Sequence, residues 1–154
     1  MSLQDIRHFL ALDERLLTGG MPTAGQLAEV RQAGVQVVIN LATPASEGAL
    51  PDEASLVASL GMQYIGIPVP WDQPTRRDLD LFMDAMDAHS RDKLFVHCQA
   101  NYRATAFVSL YRLLRLGWER GRAFEDLQRI WDPQEYPVWQ RFIEENLPDA
   151  ARRD

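Results

Sequence analysis

The chain has a single cysteine and three histidines in 154 residues, and its basic residues are outnumbered by its acidic ones. A lone cysteine excludes an internal disulfide, and with it the stapled scaffold of a small secreted domain. The histidines His8, His89 and His97 have no metal-ligand spacing with one another. With 16 Lys and Arg against 22 Asp and Glu, the formal charge of -6 has the wrong sign for a general binder of nucleic acid or acidic lipid, so neither is expected as a partner. No apolar run approaches the roughly 18 residues of a membrane-spanning helix, so no membrane partner is expected either. Residues 1–13 show no basic region followed by an uncharged apolar stretch. These absences predict a soluble protein of a reducing, cytoplasmic compartment. Nothing in the sequence assigns an oligomeric state.

Internal repeats, low-complexity tracts and linkers are also missing, and the length suits one hydrophobic core, so residues 1–154 are read as a single domain. Within it, short apolar runs alternate with helical patterns. Residues 16–18 read as a strand stopped by Gly19 and Gly20. Thr23 and Gln26 then have capping-box spacing for a helix to about Gln32. The β-branched run 35–40 reads as a buried strand at the sheet centre, and 62–67 as another. Between them lie a loop at 42–49 and a helix that starts at Pro51 and closes at Gly61. The prolines at 68, 70 and 74 bar a further ladder and predict a structured loop. Leu79, Phe82, Met83 and Met86 mark a helix over 75–89, followed by a strand at 93–97 and a helix over 104–116. Two more helices are predicted near 122–130 and 138–147. Four strands alternating with helices predict an α/β fold: a central, mainly parallel four-stranded sheet flanked by helices. In such sheets ligands bind beyond the carboxyl ends of the strands, where His97-Cys98 falls.

Cys98 directly follows a buried strand and Arg103 directly precedes a helix. Unpaired N–H groups at a helix start, the helix dipole and a forked guanidinium together make a cradle for a tetrahedral oxyanion. A positive field of this kind favours the thiolate, the nucleophilic form of a cysteine. A free cysteine is commonly a small buried apolar residue, but the strand-end position and the following arginine favour a nucleophile. A cation in a first helical turn opposes the dipole, which an anionic partner would explain.

On these residues the sequence resembles the cysteine-dependent phosphatase superfamily, and within it a bacterial tyrosine-phosphatase-like or dual-specificity-like branch. The resemblance includes Leu17-Thr18-Gly19-Gly20-Met21-Pro22-Thr23, Val38-Ile39-Asn40-Leu41, Gly66-Ile67-Pro68-Val69 and the loop from Val96-His97-Cys98. It implies a phosphotyrosine protein phosphatase-like fold and hydrolysis of phosphate monoesters, without metal or other cofactor. Cys98 would attack phosphorus, while Arg103 and the loop Gln99, Ala100, Asn101, Tyr102 and Ala104 would hold the phosphoryl oxygens. Trp71-Asp72-Gln73-Pro74 resembles the family's acid loop. Asp72 is then either the general acid or a turn aspartate ahead of the next helix, and Trp71 would pack the loop, act as its hinge or fill core space. His97 would support the phosphate loop. Thr105 would either assist the thiolate or bond to its own helix. The substrate would be a phosphorylated protein or a small phosphorylated molecule.

One feature departs from the family pattern: only four residues separate Cys98 from Arg103, one fewer than usual. A loop this short also resembles that of rhodanese-type sulfurtransferases, which carry a persulfide. A phosphate-binding module without turnover is the third possibility. Asn101 stands where the family usually has glycine, and asparagine tolerates positive φ. Trp131, Tyr136, Trp139 and Phe142 form an aromatic group expected to close the core.

Overall fold

The structure, a computed structural model, describes residues 2–148. After a short 3-10 turn (Leu3–Asp5) come β1 (Leu10–Ala11), β2 (Leu16–Gly19), α1 (Ala24–Gln32), β3 (Val37–Asn40), α2 (Glu53–Ser59), β4 (Gln63–Gly66) and α3 (Arg76–Ala88). β5 (Leu94–His97), α4 (Tyr102–Leu114), α5 (Arg120–Ala123), α6 (Glu125–Gln128), a 3-10 turn at Pro133–Glu135 and α7 (Pro137–Glu145) complete it. The strands form one sheet in the order β1-β2-β5-β3-β4, with every pairing parallel except β1 with β2. The mainly parallel sheet flanked by helices is thus present, but with five strands rather than four. β1 has only two residues, too few to show a period, and its position is fixed from a distance: Thr18 Oγ1 donates to Leu10 O at 2.8 Å. β5, rather than β3, occupies the middle of the sheet.

Strand residues alternate between two cores, as the two-residue period of a pleated strand requires. Val37, Ile39, Leu94 and Val96 face Phe82 and Met83 of α3, Phe107 and Leu110 of α4, and Trp139 and Phe142 of α7. Leu17, Val38 and Phe95 face Leu27 and Val30 of α1, Val57 of α2, and Ile6. α4 is buried almost throughout, from Arg103 to Leu113, because neighbouring elements cover it on every side. Its all-round burial accounts for the run of apolar residues beyond a single stripe.

Three elements differ from expectation. α4 begins at Tyr102 rather than at 104, which places Arg103 inside its first turn. The helix expected near 122–130 is two four-residue helices, because Phe124 departs from helical dihedrals (φ -100°, ψ 4°) while its side chain joins the core. Gly19 and Gly20 do more than stop β2. A Cβ at Gly19 would lie 2.8 Å from Ile6 Cγ2, so Gly19 makes room for that side chain, and one at Gly20 would lie 2.6 Å from Gln99 O, so Gly20 permits a close approach of two backbone segments.

Candidate active site

β5 ends at His97, and the chain turns from the sheet's carboxyl edge into α4 over residues 98–101. This turn is clamped along one side. The Cys98 N–H donates to Gly19 O at 3.3 Å, Ala100 forms an isolated bridge with Gly20, and the Met21 N–H donates to Gln99 O at 3.0 Å. Gln99 Oε1 in turn accepts from the Glu47 N–H at 3.2 Å. Asn101 takes the left-handed conformation (φ 68°) that reverses the chain into the helix, the role for which asparagine is suited. Its Nδ2 donates to His8 O at 2.8 Å and to Thr18 Oγ1 at 2.9 Å, tying the loop to the segment before the sheet.

Cys98 and Arg103 line one cavity of about 430 Å³, together with Gln99, Ala100 and Tyr102 of the loop and with Arg7, Trp71 and Tyr136 from elsewhere in the chain. Cys98 is 1% exposed and Arg103 5% exposed. The guanidinium is oriented from the side of the loop after β4, where Nη1 donates to Val69 O at 2.7 Å and Cζ lies 6.0 Å from the Trp71 ring centroid. A thiol, a fixed cation and the start of a 13-residue helix therefore meet at one opening. That combination can bind a tetrahedral oxyanion and attack its centre. Another cavity, of about 390 Å³, is lined by Phe124, Ile143 and polar neighbours and holds no cysteine or histidine.

The remaining sequence-nominated residues divide. Trp71 lines the cavity and packs on Tyr136 (5.3 Å) and Trp139 (5.4 Å), and its carbonyl accepts the Trp139 indole N–H at 2.7 Å. Asp72, its neighbour, is exposed and is not among the lining residues. Ala104 is fully buried in the first turn of α4 rather than at the opening. Thr105 bonds to its own helix. Its hydroxyl donates to Asn101 O at 2.7 Å and accepts the Trp131 indole N–H at 2.9 Å.

His97 is fully buried, with Nε2 2.7 Å from Glu53 Oε2 and Nδ1 3.3 Å from Cys98 O. Glu53 belongs to a chain of buried and half-buried polar groups. Asn40 Nδ2 reaches Glu53 Oε1 (3.5 Å) and the Tyr64 hydroxyl (3.1 Å), and Asn40 Oδ1 accepts the Ala42 N–H at 2.8 Å. Burial holds the Tyr64 phenol above its ordinary pKa, with the Glu53 carboxylate adding in the same direction and the Asn40 hydrogen bond opposing. Among the described residues no group of three or more His, Cys, Asp or Glu is placed to hold a metal ion, and no helix is long and apolar enough to cross a membrane.

Sequence reasoning missed Arg7, Tyr136 and Glu53. Trp131, Trp139 and Phe142 close the core as expected, but Tyr136 from the same aromatic group reaches the cavity. There the neighbouring Tyr102 phenol, followed by desolvation, holds Tyr136 above its ordinary pKa. Tyr102 itself is near-parallel to the rings of His8 (6.0 Å, 6°) and Trp131 (4.8 Å, 2°).

The model of a family described as DSP-PTPase phosphatase fused to NAD+ kinase matches residues 4–130. The structure of a candidate phosphatase (DUF442) from Shewanella putrefaciens CN-32 is similar over 94% of this chain and 91% of that one, with 40% identity and a TM-score of 0.82. TpbA of P. aeruginosa, in complex with pTyr, is similar over 94% and 88%, with 17% identity and a TM-score of 0.72. The core catalytic domain of the S. cerevisiae PP-IP phosphatase SIW14 is similar over 94% and 88%, with 15% identity and a TM-score of 0.70. The last two are likenesses of fold. Among curated proteins none matches the chain.

Proposed function

We propose that this chain, which belongs to the DSP-PTPase family described as fused to NAD+ kinase and so to the cysteine-dependent phosphatases, hydrolyses phosphate monoesters through a phosphocysteine at Cys98. The observation that carries the reading is the placing of Cys98 and Arg103 in one cavity, at the end of the central strand and the start of α4.

In the first step Cys98 Sγ attacks phosphorus and the bond from phosphorus to the leaving oxygen breaks. Loop N–H groups and the Arg103 N–H groups not used on Val69 hold the equatorial oxygens, where negative charge gathers. Asp72 gives a proton to the leaving oxygen. For this the 70–73 turn, closed by the Gln73 N–H on Pro70 O at 3.2 Å, swings the exposed carboxyl inward beside Trp71. In the second step water attacks phosphorus, Asp72 takes its proton, the P–S bond breaks, and phosphate leaves with the thiolate restored.

The substrate is a phosphorylated protein or a small phosphorylated molecule, in keeping with the pTyr bound by TpbA and the class of compound named for the yeast phosphatase. A thiolate nucleophile suits a reducing compartment, and we place the protein in the cytoplasm. The four-residue loop favours sulfur transfer as the second reading.

The test is steady-state release of p-nitrophenol from p-nitrophenyl phosphate without added metal. The expected outcome is turnover that Cys98→Ser abolishes. Sulfur transfer from thiosulfate to cyanide through Cys98, with no phosphatase turnover, would replace this reading by the sulfurtransferase one. Phosphate binding with neither activity would make the domain a binding module.

A further inference from the structure

Residues 6–8, ahead of the sheet, are fastened to the phosphate loop at several points. Ile6 is buried in the core against Gly19. Arg7 O accepts the Gly20 N–H at 2.6 Å. His8 holds a left-handed backbone (φ 50°), its Nδ1 lies 2.8 Å from Ala100 O, and its own carbonyl accepts from Asn101 Nδ2 at 2.8 Å. A histidine in that conformation is strained unless its surroundings fix it, and here the His8 ring is also stacked on Tyr102.

These attachments hold Arg7 in the lining of the cavity that contains Cys98. Arg7 is exposed, and its guanidinium has no ion pair or hydrogen bond among the described residues. No aspartate or glutamate lines the cavity to receive it, although acids outnumber bases in the chain as a whole. Arg103, by contrast, is buried and fixed on Val69 O. One phosphoryl group is served by Arg103 and the loop N–H groups. A second cation at the same opening has no part in that chemistry.

We propose that Arg7 reads a second anionic group, phosphate or carboxylate, on the substrate, so that the enzyme prefers phosphomonoesters with two separate anionic groups. The inference rests on the phosphatase reading of the Cys98 cavity. The cavity volume of about 430 Å³ lies in the range of sites that enclose a drug-sized ligand, so there is room for more than the reacting phosphoryl group. Because Arg7 is exposed, the preference is modest and falls with ionic strength.

The probes are phenyl phosphate, 3-carboxyphenyl phosphate and benzene-1,3-bisphosphate, compared by kcat/KM in wild type, Arg7→Ala, Arg7→Lys and Arg91→Ala. Arg91, also exposed, stands at the amino end of β5 and controls for the loss of one positive charge. In wild type the second anion should raise kcat/KM by about threefold to tenfold, chiefly through KM, as suits an exposed charge-assisted contact. Counted per phosphoryl group, Arg7→Ala should bring the ratio to about one, Arg7→Lys should restore part of it, and Arg91→Ala should leave it as in wild type. The carboxylate and bisphosphate arms separate the two kinds of second anion. The same ligands titrated into Cys98→Ser protein, followed by tryptophan fluorescence, give the preference without turnover and so keep it distinct from the phosphatase reading. Equal preference in wild type and Arg7→Ala, or no preference in wild type in either format, would overturn the proposal.

Discussion

His97 Nε2 and Glu53 Oε2 lie 2.7 Å apart, with the imidazole 0% and the carboxylate 4% exposed. His97 is the last residue of the central strand, and its Nδ1 faces the carbonyl of Cys98. A helix on one side of the sheet therefore holds the strand end that carries Cys98.

Removing one partner of a buried pair strands the other, at a cost of about 3–5 kcal/mol. Glu53→Ala should lose stability on that scale in urea unfolding, since His97 and Asn40 both lose an acceptor. A loss no larger than that of an exposed substitution such as Glu14→Ala would mean that the pair does not hold the strand end.

A methyl group at Gly20 would meet Gln99 O at 2.6 Å, closer than any Cβ settles. Gly20→Ala should displace the phosphate loop, lowering kcat/KM on p-nitrophenyl phosphate about tenfold or more, with a stability loss of about 1–3 kcal/mol from overpacking. Wild-type kinetics in this variant would show that the loop's position is not set by β2.

Asp72→Asn separates acid catalysis from a turn role. An alkyl phosphate needs its leaving oxygen protonated and p-nitrophenyl phosphate hardly does. The variant should lose about a hundredfold or more in kcat on the alkyl ester and far less on the aryl one. Equal losses on both would assign Asp72 to the turn.

Tyr111 provides an alkaline signature unrelated to the site. Burial, then the hydrogen bond and charge of Asp87, raise its phenol to about 12 from the ordinary 10.0, although Arg115 and Arg15 pull the other way. Above pH 10 the unfolded chain gives up this proton while the folded one keeps it. The contribution is thus complete below pH 10 and is lost as the pH rises towards 12. Urea midpoints across that window should fall less steeply in Tyr111→Phe than in wild type. Parallel slopes would contradict the assignment.

What the sequence revealed was local. The apolar run at 94–97, the cysteine at its end and the arginine beyond it are neighbours in the chain, and so was the capping box of Thr23 and Gln26, whose reciprocal bonds measure 3.1 and 2.9 Å. What it hid depends on distant contacts. His8 meets Ala100 across 92 positions, Glu53 meets His97 across 44, and no periodicity marks either. Tyr136 looked like its aromatic neighbours because composition does not distinguish a ring in the core from one at an opening. Thr105 shows both kinds of contact: its bond to the Asn101 carbonyl is local, whereas the Trp131 indole N–H reaches it across 26 positions.

The central claim is a covalent phosphoryl group on one sulfur. Acid quenching of the enzyme during turnover of p-nitrophenyl phosphate, followed by peptide mass spectrometry, tests it directly. The account predicts the added mass of one phosphoryl group on the peptide containing Cys98, and none in Cys98→Ser. Continued turnover in Cys98→Ser, or a quenched peptide that carries an extra sulfur and never phosphate, would contradict it.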